Sequence, residues 1–292
     1  MRIFVTGASG WIGSAVVTEL LNAGHEVTGL ARSDSAATAV AALGARVRRG
    51  DLADLPGLRS AAAAADGVIH LGYNHDFSQM ADAARTDRAA IDAVGDALAG
   101  TDRPFLIAAG VLGLPQGRPA VEQDEPDLSA HPRSGNATAA LALAERGVRS
   151  LVARFAPTVH GDGDHGFLAT LGAVARQQGV SGYVGEGANR WPAVHVLDAA
   201  HLVRLAVEDA PAGTVLHAVA EEGVPTRAIA EAIGRGLDLP VESIPAERFG
   251  WIGPFFGADA PASSAATQAL LGWKPTHPGL LADLDAGHYF QQ

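Results

Sequence analysis

Three glycines spaced three residues apart follow the first apolar run of the chain. Gly7, Gly10 and Gly13 lie within the segment TGASGWIG, residues 6–13. At such a spacing the first glycine permits a tight turn, the second lets backbone N–H groups approach a pyrophosphate, and the third packs a helix on a sheet. The amino end of the helix adds unpaired N–H groups and partial positive charge. We therefore predict a dinucleotide-phosphate turn, and its residues are Thr6, Gly7, Ser9, Gly10, Trp11, Ile12 and Gly13.

The pattern around this turn predicts the elements that would position it. The β-branched runs predict strands at 2–6, 26–31, 45–49, 67–71, 104–109 and 150–155. The alanine-rich stretches between them predict helices at 11–23, 34–43, 55–64, 81–99 and 134–146. Strands that alternate with helices of about ten to fifteen residues indicate right-handed crossovers and a parallel sheet. The predicted fold class is therefore α/β, a Rossmann-type doubly wound parallel sheet with helices on both faces.

The second half of the chain has a less regular pattern. Loops are predicted at 112–132, 161–167 and 185–195, helices near 198–208 and 226–234, and a strand at 215–218, before a helical tail. We expect residues 1–156 to form the dinucleotide-binding core. Residues 157–292 are expected to form mostly a small substrate lobe, interleaved with the core in a single structural unit.

The composition excludes several classes of protein. With 48% hydrophobic and 18% charged residues among 292, the chain has ample apolar material for a core, which excludes general disorder. No apolar run approaches the about 18 residues of a membrane span, and the amino terminus lacks a signal-peptide pattern. The absence of cysteine excludes disulfides, thiolate metal sites and cysteine nucleophiles, and fits a cytoplasmic protein. A net charge of −11 with scattered arginines argues against nucleic acid as a partner.

Five motifs, in the expected order, resemble those of the short-chain dehydrogenase/reductase family, in its extended, NAD-dependent epimerase/dehydratase-like branch. They are the G-x-x-G-x-x-G turn, GDL at 50–52, VIHLG at 68–72, RFAPTVHG at 154–161 and LGWKP at 271–275. The resemblance covers nearly the whole chain. It implies that Asp51 and Leu52 lie beside the adenine of the cofactor, and that Leu71 and Gly72 lie along the cofactor.

The residues that end the second predicted strand bear on which dinucleotide is bound. An NAD site requires a carboxylate there for the ribose hydroxyls, but this strand leads into Arg32 and Ser33. Arg32 can pair with a 2′-phosphate and stack on adenine, and Ser33 can donate to the phosphate. Asp34 lies further along, where it would cap the next helix. We therefore predict NADP(H) as the preferred cofactor, with NAD(H) as the alternative.

The catalytic positions that the resemblance implies are changed in this chain. The family uses a serine or threonine and a Tyr-x-x-x-Lys pair, and counting back from residue 154 places Ser129 at the tyrosine and Arg133 at the lysine. The serine strand reads AAGVLG at 108–113. A serine hydroxyl is far too weak an acid to replace a phenol, whereas Arg133 stays protonated and can hold a cofactor ribose hydroxyl or stabilise an oxyanion. The chain thus resembles an atypical subgroup that lacks the tyrosine–lysine pair.

Other side chains are candidate proton donors if the chain catalyses a reaction. His131 lies near Arg133, and an unperturbed imidazole titrates near pH ~6.5. His75 and Asp76 follow the fourth predicted strand, at the carboxyl edge where open α/β sheets bind ligands. The alternatives are structural, because His131 precedes a proline in a turn and Asp76 can cap a helix.

Further polar and aromatic residues stand in loops expected to cover the substrate. The predicted substrate-facing residues are Tyr73, His160, Asp162, His165, Arg190 and Trp191. The histidines and aspartates between 160 and 165 are metal-ligand types, but the glycines among them suit a loop over the substrate, and we predict no metal. By the same resemblance, helix 134–146 pairs with its copy, which predicts a homodimer.

These residues together predict an NADP(H)-dependent oxidoreductase that transfers hydride to a small carbonyl or imine, with a non-standard proton donor. A protonated imine already carries positive charge and needs no proton from the protein, so a site without the phenol favours it. The alternative is a dinucleotide-binding sensor or regulatory protein without turnover. A sugar-nucleotide epimerase or dehydratase is the second alternative, disfavoured because such chemistry uses the missing tyrosine as a base.

Overall fold

A central parallel sheet organises the chain in a computed structural model that describes residues 1–74, 79–128 and 133–290. The strands of these ranges are β1 Arg2–Thr6, β2 Glu26–Ala31, β3 Arg46–Arg49, β4 Gly67–His70, β5 Pro104–Gly110, β6 Arg149–Phe155, β7 Thr158–His160, β8 Ser181–Tyr183, β9 Arg190–His195, β10 Thr214–Ala218, β11 Glu221–Pro225 and β12 Val241–Ser243. In the described part, seven of them form the main sheet in the order β10-β6-β5-β4-β1-β2-β3, and every neighbouring pair is parallel.

Helices cover both faces of this sheet. The helices of the described ranges are α1 Trp11–Asn22, α2 Asp34–Ala42, α3 Leu55–Ala64, α4 Met80–Leu98, α5 Ser134–Ala142, α6 Phe167–Gln178, α7 Val196–Asp209, α8 Thr226–Leu237, α9 Gly253–Phe256, α10 Ala265–Leu271 and α11 Leu280–Asp285. Helices α1, α2 and α7 pack in the apolar core of one face, and α3, α4 and α5 pack in that of the other. The doubly wound, Rossmann-type fold predicted from the sequence is confirmed. The predicted helix 134–146 ends earlier, because a tighter 3-10 turn follows α5.

The second half of the chain contains strands that the sequence pattern did not predict. The segment 185–195, expected to be a loop, contains β9, which lies between β11 and β7 in a small sheet. Its residues are largely buried, so the strand shows no polar alternation that would reveal it. Pro192 favours a loop in sequence, yet the ladder between β11 and β9 is irregular between Glu221 and Val224, next to this proline. An irregular ladder tolerates the missing N–H.

The tail motif LGWKP anchors the carboxyl-terminal segment on the main sheet. Trp273 is fully buried, and its Nε1 donates to the backbone O of Asp198 at 3.0 Å. The Asp198 carboxylate accepts from the backbone N–H groups of Thr276 and His277 at 3.0 and 3.1 Å. The amino end of α7 is capped instead by His195, whose Nδ1 accepts from a backbone N–H at 3.2 Å.

A buried cation and imidazole pin the segment after β5 to the sheet. Arg154 in β6 donates to the backbone O of Asp124 at 2.8 Å. Its guanidinium lies 3.4 Å from Nε2 of His217, and His217 Nδ1 donates to Ser263 O at 2.8 Å. Burial lowers the pKa of His217, although the hydrogen bond to Ser263 opposes this effect. The imidazole is therefore neutral in the folded protein near neutral pH.

This neutral imidazole predicts a pH dependence of folding. An unfolded imidazole titrates near pH ~6.5 and the folded His217 titrates lower, so unfolding takes up a proton between these values and stability falls with decreasing pH. We expect the wild type to lose more free energy of unfolding than His217→Gln when the pH decreases from about 7.5 to about 5.5, measured by urea denaturation. The exposed His165 supplies the control variant His165→Gln, which should keep the wild-type dependence. Equal pH dependence in all three proteins would contradict this assignment.

Candidate nucleotide-binding and active site

The glycine turn lies between β1 and α1, and its first glycine has a left-handed conformation. Gly7 has φ +69°, and a Cβ atom there would lie 2.7 Å from the backbone N of Gly72. A Cβ atom on Gly13 would lie 2.0 Å from the carbonyl O of Gly7. Gly10 N donates to the same carbonyl O at 2.9 Å and closes the turn. Gly7 and Gly13 are therefore required by close backbone packing.

The amino end of α1 fits a dinucleotide phosphate. Gly10 is the N-cap of this helix and has no side chain that could accept from the first helical N–H groups. The first turn of α1 contains no acidic residue, and both Ser9 and Gly10 are exposed. A helix end of this kind presents N–H groups and partial positive charge to an anion.

Trp11 connects the turn to the second half of the chain. Its Nε1 donates to the backbone O of Val159 at 2.8 Å, which joins α1 to β7. Its ring meets the imidazole of His165 edge-on, with 6.0 Å between the ring centroids. Ile12, the other apolar residue of the turn, is half-buried against the core. Trp11 thus holds the exposed loop that contains Asp162 and His165 beside the turn.

The segments after β3 and β4 lie next to the turn. Leu71 N donates to the backbone O of Thr6 at 3.2 Å, and Gly72 N donates to the hydroxyl of Thr6 at 3.1 Å. Leu52 is half-buried after β3, and Asp51 there accepts from a backbone N–H two residues along at 2.9 Å. The order β4-β1-β2-β3 therefore brings all these predicted cofactor residues to one edge of the sheet.

The edge beyond β2 carries two arginines, of which the sequence analysis identified one. Arg32 is exposed and forms no hydrogen bond or ion pair with residues in the described ranges. Ser33 caps α2, with its Oγ accepting from a backbone N–H at 3.1 Å. Arg49, paired in register with the last residue of β2, donates to Ser33 O and lies 2.9 Å from the Asp34 carboxylate. Arg49 thus neutralises the carboxylate that follows β2.

A chain of buried polar groups runs from the glycine turn to Arg133. The hydroxyl of Thr6 lies 2.7 Å from Nδ1 of His70, and His70 Nε2 lies 3.1 Å from Oδ1 of Asp87. Asp87 Oδ2 accepts from Nε of Arg133 at 3.2 Å. A carboxylate can only accept, which assigns the imidazole proton to Nε2, toward Asp87, so that Nδ1 accepts from the Thr6 hydroxyl.

Asp87 is the central member of this chain of buried polar groups. The sequence analysis did not identify Asp87, His70 or Asn136. Asp87 is 1% exposed on α4, and Asn136 Nδ2 donates to it at 2.7 Å. Burial alone would raise the pKa of Asp87, but the hydrogen bond from His70 and the charge of Arg133 lower it below the usual value. The carboxylate is therefore ionised. A signal existed in the sequence, because an aspartate on the apolar stripe of a helix requires buried partners.

Arg133 lies where the ends of β4 and β5 meet. Besides its bond to Asp87, its Nη2 donates to the backbone O of Ala108 at 3.0 Å. Its guanidinium carbon lies 4.0 Å from the ring centroid of Tyr73, which follows β4. The structure thus brings the predicted catalytic cation and one predicted substrate residue into contact, at the edge that carries the glycine turn.

Other predicted substrate residues lie inside the second half of the chain. His160 is 1% exposed, and its Nδ1 lies 2.9 Å from Oδ2 of Asp283. Trp191 is fully buried, where its indole donates to a backbone carbonyl at 3.1 Å. Arg190 forms a two-pronged ion pair with Asp259, at 3.0 and 2.9 Å. His165 contacts Trp11 of the glycine turn. In the described part of the chain, His160, Trp191 and Arg190 form no such contact.

The remaining predicted catalytic residues, Ser129, His131, His75 and Asp76, lie outside the described residues. Within the described ranges, no three or more histidine, aspartate or glutamate side chains group as metal ligands would. Nor does any helix in this part of the chain combine the length and apolar character needed to cross a membrane.

Comparison with known proteins agrees with the arrangement of the glycine turn at the edge of the main sheet. A model of the NAD dependent epimerase/dehydratase family matches residues 3–219. The chain belongs to this family. Its members are nicotinamide-dinucleotide-dependent oxidoreductases and epimerases, which confirms the resemblance to the extended short-chain dehydrogenases. The glycine turn, the uncapped α1 and the segments after β3 and β4 are the residues of this chain that would hold such a cofactor.

Individual known proteins match this chain over nearly their whole length. An uncharacterized protein of Schizosaccharomyces pombe is 46% identical over 99% of this chain and 100% of its own. A 3-diazoavenalumate denitrifying reductase of a Streptomyces species is 30% identical over 95% of this chain and 97% of its own. The crystal structure of UDP-glucose 4-epimerase from Thermotoga maritima aligns with a TM-score of 0.80 at 18% identity, covering 99% of this chain and 98% of its own. At that identity the structural likeness concerns the fold.

Proposed function

We propose that this protein is an NADP(H)-dependent reductase that transfers hydride to a small carbonyl or imine substrate. The observation that carries the proposal is Arg133, a cation bound to the ionised Asp87 at the edge that also bears the glycine turn. In this position it can bind a cofactor ribose hydroxyl or stabilise negative charge on a reduced substrate. A bound reduced nicotinamide would supply the hydride.

Reduction is favoured over epimerisation by two further observations. Ser129 stands at the sequence position of the family tyrosine, the base that epimerisation requires, and a serine hydroxyl is far too weakly acidic to replace it. A full-length relative is named a reductase, and its name indicates a diazo substrate that loses nitrogen. These observations support a reductase of small molecules.

The proposal is tested by NADPH oxidation, followed through the absorbance of the reduced nicotinamide, with a panel of aldehydes, ketones and cyclic imines. A parallel titration measures NADPH and NADH binding to the same preparation. Substrate-dependent oxidation of any panel member supports the reductase. Tight binding with no oxidation across the panel would contradict it and favour the sensor, and interconversion of nucleotide sugars would favour the epimerase.

The preference for NADP(H) is assigned to Arg32 with Arg49. Arg32 is exposed at the end of β2, and Arg49 pairs with Asp34, which removes the negative charge that would repel a 2′-phosphate. We expect Arg32→Asp to lower the ratio of kcat/KM for NADPH over NADH by about 10- to 100-fold, the worth of one charge-assisted hydrogen bond.

The matched control for this prediction is Arg46→Asp. Arg46 is exposed at the amino end of β3, the opposite end from Arg49, and it makes an ion pair with Glu26 at 3.0 Å. The substitution changes the net charge equally but far from the cofactor edge, so the preference should stay at the wild-type value. An unchanged ratio in Arg32→Asp would remove the phosphate role from Arg32.

We also propose that the protein is a homodimer that pairs through α4 and α5. These helices pack against each other, and the exposed side of α4 presents Arg85, Arg88 and Asp92 to an open groove of about 420 Å³ that Asn136 also lines. Neighbouring charges of both signs on one face suit pairing with a copy of the same face.

A further inference from the structure

A phenol lies at the predicted cofactor edge, although the resemblance places Ser129 at the position of the family tyrosine. The chain has three tyrosines. Tyr289 lies in the second half of the chain with its hydroxyl bonded to Gly161 O and Asp164, and Tyr183 lies there in β8. Tyr73 alone follows a strand of the main sheet, directly after Gly72, whose N–H is bound to Thr6. The backbone of Tyr73 therefore follows directly on a residue, Gly72, that is hydrogen-bonded to Thr6 of the glycine turn.

We propose that Tyr73 is the proton donor for carbonyl reduction and that Arg133 is its cationic partner. This inference rests on the proposed reductase function. In the family pattern the tyrosine and its cation lie four residues apart on one helix. Here they would come from two elements, the end of β4 and the residue before α5, and they meet with 4.0 Å between the guanidinium carbon and the ring centroid.

The contact assigns complementary roles to the two side chains. The guanidinium stays charged at any working pH, so Arg133 does not give up a proton, and the transferable proton lies on the Tyr73 hydroxyl. A cation over the ring face stabilises the negative charge that the phenol acquires when it loses this proton. The guanidinium also donates hydrogen bonds to Asp87 and to Ala108 O, so the cation stays in place during the reaction.

The proposed step transfers one hydride and one proton to the carbonyl group. Hydride from the reduced nicotinamide dinucleotide adds to the carbonyl carbon, and the dinucleotide is thereby oxidised. The π electrons of the C=O bond move to the oxygen, which takes the proton from Tyr73 Oη and becomes the hydroxyl of an alcohol. The phenolate left beside Arg133 then takes a proton from water, which restores the resting state.

The other described groups near Arg133 do not serve as the donor. Both ring nitrogens of His70 are bonded, to Thr6 and to Asp87, so its proton is held within the chain of buried polar groups. Asp87 is ionised and carries no proton. Burial raises the pKa of the Tyr73 phenol and the negative charge of Asp87 adds to this, while the charge of Arg133 lowers it. The phenol is therefore protonated, and ready to donate, at neutral pH.

The test compares two substrates with Tyr73→Phe, which keeps the ring over Arg133 and removes only the hydroxyl. For an aldehyde that the wild type reduces, we expect kcat/KM to fall about 10²- to 10⁴-fold, the usual worth of a positioned general acid. For an N-alkylated cyclic iminium salt, which accepts hydride without a proton, kcat/KM should stay within about twofold of the wild type. The Kd for NADPH should be unchanged. The matched control is Tyr183→Phe, because Tyr183 also stacks on an arginine, Arg227, at 5.4 Å in the second half of the chain.

A spectroscopic titration gives a second readout that does not depend on turnover. The tyrosinate absorbance of the cofactor-free wild type, minus that of Tyr73→Phe, isolates the titration of Tyr73 from that of the other two tyrosines. In Arg133→Met this difference titration should move to higher pH, because the nearby positive charge is lost. An unmoved titration would overturn the pairing of Tyr73 with Arg133.

The kinetic outcomes separate the inference from the proposed function. Wild-type reduction of the aldehyde that persists in Tyr73→Phe, or an equal loss on aldehyde and iminium salt, overturns the donor role and leaves the reductase standing. A wild type that reduces neither substrate, nor any other member of the panel, overturns the reductase and the donor role together. A loss on the aldehyde alone supports both.

Discussion

We expect Asp87→Ala to abolish turnover and to lower the free energy of unfolding by about 3–5 kcal/mol, the usual cost of breaking a buried ion pair. Asp87 is 1% exposed and accepts from three different side chains, those of His70, Arg133 and Asn136. Without the carboxylate, these donors lie partly buried without an acceptor, and the guanidinium loses its main anchor. Urea denaturation and NADPH-dependent reduction measure the two effects.

The control for this prediction lies on the same helix. Asp96 in α4 pairs with Arg146 at 3.0 Å, but both side chains are about half exposed. Exposed ion pairs contribute little, so Asp96→Ala should change stability by no more than about 0.5 kcal/mol and leave turnover unchanged. Similar losses in the two variants would show that burial of Asp87 is not the cause. In the double variant Asp87→Ala/Arg133→Met, stability losses smaller than the sum of the single ones would report the coupling of the pair.

We expect Gly7→Ala to weaken NADPH binding by at least about 100-fold. A left-handed conformation costs alanine about 1–2 kcal/mol. In addition, the new Cβ would lie 2.7 Å from both Gly72 N and the carbonyl carbon of Leu71, so the turn and the segment after β4 must separate. Both surfaces contribute to the predicted cofactor site, and fluorescence titration with NADPH measures the loss.

Gly24→Ala separates the backbone strain from this displacement. Gly24 ends the loop after α1 with φ +83°, and a Cβ atom there would meet nothing within 4 Å. Both variants therefore carry the left-handed strain, but only Gly7→Ala moves the turn. Gly24→Ala should lower stability by about 1 kcal/mol and leave the Kd for NADPH unchanged. Wild-type NADPH affinity in Gly7→Ala would show that the turn tolerates the displacement or does not bind the cofactor.

The candidate-site residues that belong to short local segments could be predicted from the sequence, whereas the contacts between those segments could not. The glycine turn, Arg32 and the residues after β3 and β4 could be predicted as cofactor residues because each follows a recognisable strand. Arg49 was missed because its reach to Ser33 and Asp34 depends on the register of β3 against β2. The strand β9 was missed because it is buried on both sides and contains Pro192, so its local pattern resembles a loop.

The sequence by itself determined the fold class, the position of the glycine turn and the family, because the periodicity of strands and helices and the spacing of glycines are set by near neighbours in the chain. Only the tertiary structure decided which side chains form the site. Thr6 and His70 are 64 residues apart, and Asp87 and Arg133 are 46 residues apart, yet each pair shares a hydrogen bond. These contacts exist because β4 lies between β1 and β5 and because α4 packs beside α5, a strand order and a helix packing that local patterns do not specify. For the same reason the contact between Tyr73 and Arg133 became visible only when the ends of β4 and β5 were brought together.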